Sequence, residues 1–201
     1  MSTGAHRYEV RSRVERYRGR IFQVVTDEVT MPGGGTAVRD YVQHPGAVSV
    51  AALDDAGRVV LIRQYRHPVG QHLWELPAGL LDVAGEDPAV AAVRELAEEA
   101  DLTVGRLDVL VDVHSSPGFT NELVRVFLAR DLTEVPADRR HHRSDEEADL
   151  QIVRVALDEA VGMALAGEIT NAATVAGLLA AAHARDRGWT GLRRPGTPLP
   201  R

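Results

Sequence analysis

The sequence predicts a mixed α/β or α+β sandwich that is preceded by a small antiparallel sheet. Short apolar runs typical of strands are interspersed with three stretches of helical periodicity, which favours such a layered arrangement. The chain has 201 residues, of which 44% are hydrophobic, so it can bury one sizeable core. We therefore expect one main domain, residues 46–186, between an amino-terminal element, residues 1–45, and a short tail, residues 187–201.

The amino-terminal element, residues 1–45, is expected to be a sheet. Alternating apolar positions predict strands at 8–17 and 21–30, and Pro32 with the glycines after it supplies a turn before a third strand at 36–43. Two or three strands alone bury too little surface to be stable. We therefore interpret this segment as an accessory or dimerisation element.

The main domain opens with two strand runs, at 47–53 and 59–64, joined by a hairpin-type turn. The clearest helix follows at 88–100. Asp87 is suited to its N-cap and Pro88 to its first helical position. An apolar stripe along one face of this helix consists of Ala89, Val93, Leu96 and Ala100.

The remaining predicted elements are three strands and two Ala-rich helices, at residues 107–113, 123–128, 150–155, 157–167 and 171–186. The tail, residues 187–201, carries prolines near its end and is predicted to be disordered. No apolar run approaches the roughly 18 residues that a membrane span needs, and the start lacks the apolar stretch of a secretory signal. The expected location is therefore cytoplasmic.

The composition excludes several kinds of chemistry and partner. There is no cysteine, which rules out disulfides, thiolate zinc sites and cysteine nucleophiles, so a metal ion must be bound by oxygen or imidazole groups. All 23 basic residues are arginine, which rules out a lysine Schiff base. The net charge of −6 argues against a nucleic-acid partner.

The predicted helix 88–100 has an unusual concentration of carboxylates. Glu95 and Glu99 are one turn apart and Glu98 lies beside both, so these like charges destabilise the helix. In one interpretation, Arg94 pairs with Glu98 at i,i+4 and the face is ordinary solvated surface. In the other, a hard divalent cation such as Mg²⁺ offsets the repulsion. The helix alone does not decide between them.

The residues before the helix favour the metal. Gly79 is followed by six residues and Glu86, then by seven residues and the run Arg94-Glu95-Leu96-Ala97-Glu98-Glu99-Ala100-Asp101-Leu102. This arrangement closely resembles the signature box of the Nudix hydrolases, in which the first spacing is one residue shorter and a glycine stands at the position of Asp101. That glycine closes the helix in a left-handed conformation, which Asp adopts at a cost of about 1 kcal/mol.

The resemblance implies a Nudix-type α/β/α sandwich with a mixed sheet and a bound Mg²⁺, with Mn²⁺ as the alternative metal. It also implies that Glu95 and Glu99 ligate the metal, that Glu98 joins or orients this shell, and that Arg94 holds the glutamates in position. In similar proteins a backbone carbonyl, here that of Ala78, is a further ligand. Such a site neutralises the charge of a pyrophosphate and activates a water.

Three further segments resemble the ADP-ribose pyrophosphatase branch of the family: Leu61-Ile62-Arg63-Gln64-Tyr65-Arg66, Trp74-Glu75-Leu76-Pro77-Ala78-Gly79 and His114-Ser115-Ser116-Pro117-Gly118-Phe119-Thr120-Asn121-Glu122. Pro117 falls sixteen residues after Asp101, where that branch carries proline. The resemblance implies that Arg66 contacts phosphate or ribose and that Glu75 accepts a hydrogen bond, with Arg39 as a further candidate. Surface arginines and a solvated glutamate are the alternative interpretation. The other residues assigned to the substrate site are Pro117, Gly118 and Phe119.

The general base in this branch is commonly a glutamate on a mobile loop. Here residues 132–148 form a long irregular connection that ends in an acidic run, and long loops of this kind often close over active sites. We predict Glu147 as the base and Glu146 as the next candidate. The alternative is that the acidic run is solvated and the base lies elsewhere. His141 and His142, in the same loop, are interpreted as solvent-exposed.

The expected activity is hydrolysis of the nucleoside diphosphate sugar ADP-ribose to AMP and ribose 5-phosphate. Alternatives are hydrolysis of another nucleoside diphosphate sugar, binding of ADP-ribose by a non-catalytic Nudix module, and a structural protein with an acidic helix. The box glutamates are all present, which argues against the non-catalytic module. In similar enzymes the amino-terminal segment is exchanged between subunits, so the expected assembly is a homodimer.

Overall fold

The computed structural model describes residues 6–143 and 150–200. The strands in this part of the chain are β1 (Val10–Arg18), β2 (Gln23–Thr30), β3 (Thr36–Gln43), β4 (Ala47–Ala52), β5 (Arg58–Arg66), β6 (Gln71–Glu75), β7 (Ala78–Leu80), β8 (Leu102–His114), β9 (Leu123–Glu134) and β10 (Gln151–Ala156). The helices are α1 (Pro88–Ala100), α2 (Leu157–Leu165) and α3 (Ala172–Asp186).

The chain divides into two compact units, and the first contains the residues up to Gly46 together with His114–Glu122. Its sheet has the order β1-β2-β3 with both pairings antiparallel, so the three predicted amino-terminal strands are present. The segment His114–Glu122, which the sequence pattern assigns to the main domain, belongs to this unit instead. It is held to β3 because the Val42 N–H donates to the Phe119 carbonyl at 2.9 Å.

The second unit contains a mixed sheet and a smaller antiparallel one. The four-stranded sheet has the order β7-β4-β9-β8, in which β4 runs antiparallel to β7 and parallel to β9. The three-stranded sheet has the order β10-β5-β6. Parallel pairing of β4 and β9 requires a long crossover, and the chain between them includes α1.

The alternation of side chains along β4 places a helical layer on each face of the mixed sheet. Val48 and Val50 pack with Leu96 of α1 in one buried cluster. Ala51 packs with Leu157 and Leu178 of α2 and α3 in another. Since successive strand residues point to opposite faces, β4 contributes side chains to both buried clusters. This is the α/β/α sandwich that the sequence predicts.

β8 and β9 extend furthest beyond the bounds that their sequence patterns indicate. β8 begins at Leu102, five residues before its predicted start, because the polar residues after Leu102 hide the strand pattern although Leu102 itself is buried in the core. β9 continues to Glu134, so the predicted irregular connection, residues 132–148, begins as strand. Within this connection, Val135 is held to the end of α1, because its N–H donates to the Asp101 carbonyl at 2.8 Å.

The tail differs most from its prediction. Disorder is predicted for residues 187–201, whereas several residues between 187 and 198 make hydrogen bonds or ion pairs in the structure. Arg125 of β9, whose side chain is 1% exposed, donates to the carbonyls of Thr197 and Pro198, and Arg193 pairs with Val109 of β8. Proline content suggested flexibility, but a buried guanidinium needs acceptors, and tail carbonyls supply them. Among the described residues, no helix is long and apolar enough to cross a membrane.

Candidate active site

The helix α1 begins and ends as the sequence predicts. The Asp87 side chain accepts the Ala89 N–H at 2.7 Å, and Pro88 occupies the first turn. The helix ends at Asp101, which adopts the left-handed conformation with φ 55° and ψ 35° and donates its N–H to the Leu96 carbonyl. The aspartate therefore takes the backbone conformation for which the Nudix box uses glycine.

Arg94 is the centre of the carboxylate cluster. Its Nε and Nη2 bond Glu86 at 3.1 and 3.0 Å, and its Nη1 bonds Glu95 at 2.6 Å and Glu98 at 3.2 Å. The predicted i,i+4 pair with Glu98 exists, but it is one of three contacts. Hydrogen bonding by Arg94 lowers the pKa of Glu86, and the same bond raises the pKa of Arg94. Among the described residues, the Arg94 guanidinium therefore contacts three carboxylates.

Gly79 makes room for the carboxylate of Glu95. A Cβ atom at residue 79 would lie 1.9 Å from Glu95 Cδ and 2.1 Å from its Oε1. Even an alanine at this position would displace the Glu95 side chain. The glycine is required sterically at this position, because β7 passes directly against the carboxylate.

Glu99 is the most buried of the α1 glutamates. It is 4% exposed, so its carboxylate is buried and does not lie on solvated surface. The Ala78 N–H donates to Glu99 Oε2 at 2.8 Å, which compensates for part of the burial. The contact places Ala78 of β7 beside the Glu99 carboxylate, as expected if both residues bind the same metal ion. The observed hydrogen bond uses the Ala78 N–H, whereas the predicted metal ligand is the Ala78 carbonyl.

Arg66 and Glu75 contact each other. Arg66 donates from Nε to Glu75 Oε1 at 3.0 Å and from Nη2 to Oε2 at 2.6 Å, a bidentate pair across β5 and β6. Glu75 is 2% exposed, whereas the Arg66 side chain is 40% exposed. This geometry makes Glu75 a partner that orients Arg66. Direct contact of Glu75 with a substrate stays a prediction.

The other predicted substrate residues lie in the first unit. Arg39 is an exposed residue of β3, and its guanidinium donates to the Val38 carbonyl at 2.8 Å. Pro117 and Gly118 precede Phe119, whose ring is exposed while its carbonyl is held by β3. Their contact with a substrate stays a prediction. The two candidate bases, Glu146 and Glu147, lie outside the described residues.

One residue at the helix end is absent from the sequence prediction. Arg143 donates from Nη2 to the Asp101 carboxylate at 2.7 Å and from Nε to the Glu98 carbonyl at 3.1 Å. The only signal for it in the sequence is indirect, because a carboxylate at the box glycine position calls for a cation. Nothing in the local pattern says which of the many arginines supplies it.

The donor groups suit a hard divalent cation. Carboxylate oxygens are the ligands that Mg²⁺ prefers, and the α1 cluster offers those of Glu95, Glu98 and Glu99. Within the described ranges, no three His, Asp or Glu side chains are already converged as a metal-binding set. Arg94 lies between the Glu95 and Glu98 carboxylates, so these side chains would have to share the guanidinium or turn from it to reach a cation.

The fold is a sandwich in which helices cover both faces of a mixed sheet. Its carboxylate cluster lies between Gly79 and the end of α1 and offers oxygen ligands suited to a metal ion. The family model for the NUDIX domain matches residues 43–176. The chain belongs to this family and is a Nudix hydrolase.

The comparisons with individual proteins agree with this assignment. The chain is 47% identical over 184 residues to an ADP-ribose pyrophosphatase of Mycobacterium tuberculosis (strain ATCC 25618 / H37Rv), covering 92% of this chain and 87% of that protein. It is 34% identical over 158 residues to an ADP-ribose pyrophosphatase of Bacillus subtilis (strain 168), covering 79% and 83%. A crystal structure of an ADP compounds hydrolase matches with a TM-score of 0.77 at 22% identity, covering 93% and 99%, which supports the fold.

Proposed function

We propose that the protein hydrolyses the pyrophosphate bond of ADP-ribose to AMP and ribose 5-phosphate, with Mg²⁺ as the cofactor and Mn²⁺ as an alternative. The observation that carries the proposal is the clustering of three carboxylates around Arg94 beside Gly79. Two relatives that align over most of the chain are named for this activity. A phosphoanhydride of this kind carries negative charge that a carboxylate cluster binds only through cations.

The metal site is assigned to Glu95 and Glu99, with Glu98 joining or orienting it and the Ala78 carbonyl as a further oxygen ligand. A bound divalent cation supplies charge neutralisation at the phosphates and acidifies a water. Arg94 holds Glu95 and Glu98 by the contacts described above. Glu99, buried and hydrogen-bonded to Ala78, contributes a carboxylate whose position is the most restricted of the set.

Substrate binding is assigned to Arg66 for a phosphate or ribose oxygen, with Glu75 fixing the guanidinium. The bidentate bond leaves Arg66 with a defined orientation, which reduces the side-chain entropy lost on binding an anion. The remaining assigned residues are Arg39, Pro117, Gly118 and Phe119. The base that takes the proton of the attacking water is assigned to Glu147, with Glu146 as its alternative.

The decisive experiment is a panel of ADP-ribose, GDP-mannose, UDP-glucose and ATP, assayed with Mg²⁺ and with its chelator. We expect ADP-ribose to have the highest kcat/KM and to yield only AMP and ribose 5-phosphate. A preference for another sugar nucleotide would reassign the substrate while keeping the chemistry. Tight binding of ADP-ribose without turnover, measured by calorimetry, would instead support the non-catalytic module.

We infer a cytoplasmic homodimer as the working assembly. The amino-terminal sheet leaves a set of apolar side chains exposed, namely Tyr8, Val10, Val14, Tyr17 and Val38. Such a set on one small sheet is typical of an interaction surface. Arg39→Ala and Glu99→Gln chains, each inactive alone, should recover activity when they are refolded together, since one site of the heterodimer would receive intact residues from both chains. A monomer in sedimentation would contradict the assembly.

A further inference from the structure

Asp101 is placed where three physical effects oppose it. Its φ of 55° disfavours a residue with a side chain. Its negative charge stands at the carboxyl end of α1, where the helix dipole is also negative. One carboxylate oxygen, Oδ1, is buried and has no hydrogen-bond partner among the residues that the structure describes. The last turn of α1 contains no basic residue that could offset these effects.

Arg143 supplies what the helix lacks. Its guanidinium donates both to the other Asp101 oxygen, at 2.7 Å, and to the Glu98 carbonyl, at 3.1 Å. Glu98 O is one of the last four carbonyls of α1, which have no partner within the helix. A single side chain from 42 residues further along the chain therefore neutralises the aspartate, caps a carbonyl and places a cation at the negative end of the dipole.

We propose that Asp101 and Arg143 act as one unit that replaces the glycine of the Nudix box, and that Arg143 is a positioning residue for the metal-binding glutamates. The chain requires such a unit because the last turn of α1 carries Glu98 and Glu99. If that turn frays, both carboxylates move relative to β7. Displacements of about 1 Å can lower activity about 100-fold. The proposal rests on the function proposed above only in placing the metal at α1.

Loss of Arg143 is expected to weaken the metal site. Arg143→Ala removes the cation that offsets the Asp101 charge, so we expect Mn²⁺ affinity and kcat to fall by roughly 10- to 100-fold, the usual range for groups that orient metal ligands. The KM for ADP-ribose should change little. Arg143→Lys should be intermediate, since an ammonium does not reproduce the planar fork that reaches two acceptors.

Asp101→Gly tests the unit from the other side. Glycine needs no cation and adopts the left-handed conformation freely, so Asp101→Gly combined with Arg143→Ala should recover Mn²⁺ affinity to within about threefold of the wild type. The matched control is Arg140→Ala. Arg140 lies on the same connection and donates to the Val135 carbonyl and Glu134, without a hydrogen bond to α1, so this variant should retain wild-type affinity.

The experiment measures Mn²⁺ binding by the electron paramagnetic resonance of free Mn²⁺, on the full chain without nucleotide, followed by kcat and KM on the same samples. Wild-type Mn²⁺ affinity in Arg143→Ala would overturn the proposal, as would a double variant no better than Arg143→Ala. Because binding is measured without nucleotide, a wild-type chain that binds Mn²⁺ but does not cleave ADP-ribose contradicts the substrate assignment alone. Absence of Mn²⁺ binding in the wild type would overturn both.

Discussion

Two clusters of arginine and carboxylate in the second unit have opposite charge balance. At α1, the guanidinium of Arg94 forms ion pairs with three carboxylates, those of Glu86, Glu95 and Glu98. At β8 and β9, the carboxylate of Asp112 forms ion pairs with two cations, Arg125 and Arg193. In the second cluster Arg125 bonds Asp112 at 2.7 and 3.2 Å, and Arg193 bonds it at 2.5 Å.

We interpret the cluster at α1 as a binding site and the cluster at Asp112 as a structural one. Arg125 is 1% exposed and also donates to two tail carbonyls, so its hydrogen-bonding groups are occupied by the protein itself. Burial alone would raise the pKa of Asp112, but bonds from both arginines outweigh it and lower the pKa. Arg94 is 32% exposed, and its carboxylates outnumber it. We propose that the carboxylates around Arg94 bind a cation, whereas the ion pairs of Asp112 hold the tail in place.

The largest effect is expected from Glu99→Gln. The amide oxygen can still accept the Ala78 N–H, so the fold should be kept, but the charge is lost. We expect kcat to fall about 1000-fold, since a metal ion contributes several kcal/mol to charge stabilisation. The thermal midpoint without metal should stay the same or rise slightly, because repulsion from Glu95 is removed. Wild-type turnover at saturating Mg²⁺ would contradict the metal assignment.

Arg125→Met breaks the other cluster and should affect stability. The substitution leaves Asp112 with Arg193 alone and removes the donor to the Thr197 and Pro198 carbonyls, so we expect the free energy of unfolding to fall by about 1–3 kcal/mol. The value of kcat at a temperature where the variant is folded should stay within about twofold, because Arg125 contacts no α1 glutamate among the bonds described. Urea unfolding with parallel assays checks both. A large loss of kcat with normal stability would contradict the structural role assigned to Arg125.

Gly79→Ala tests whether the site tolerates a single methyl group. The new Cβ would displace the Glu95 carboxylate, which is the end of a flexible side chain, so we expect kcat to fall about 100-fold. The stability should change by about 1 kcal/mol or less.

The matched control for this substitution is Gly177→Ala in α3. There a Cβ would lie 2.7 Å from Leu76 Cδ1 and 3.0 Å from Val126 Cγ1, in the packed core. We expect this variant to lose about 1–3 kcal/mol of stability by overpacking while keeping its kcat. If both alanines act alike, Gly79 has no special relation to the site.

The smallest effect is expected from Arg193→Ala, whose side chain is 40% exposed. At neutral pH we expect a loss of roughly 1 kcal/mol or less, as for exposed ion pairs. The lowered pKa of Asp112 contributes stability that is present above the unfolded value, near 3.9, and is lost as the pH falls through the folded value. Removing Arg193 raises the folded pKa, so acid unfolding should begin at higher pH. Urea unfolding measured from about pH 3 to about pH 7 checks the direction.

Much of the fold was predictable because its signals are local. The cap at Asp87, the proline after it and the apolar positions of α1 act within one or two helical turns, and the helix has the predicted bounds. The alternation in β4 likewise encodes two buried faces. The start of β8 and the end of β9 were missed because polar residues in a paired strand break the alternation that identifies it.

The residues of the carboxylate cluster are also determined by the sequence, since the spacing from Gly79 to Glu99 carries the box. Tertiary structure alone decided how they are held. Arg94 reaches three glutamates, Glu75 binds Arg66, and Arg143 closes the helix from 42 residues away. The tail is the extreme case, because Arg125 meets acceptors 72 and 73 residues further on. Local patterns specify neighbours within a turn or a strand, whereas a buried guanidinium takes whichever acceptors the packed chain brings to it.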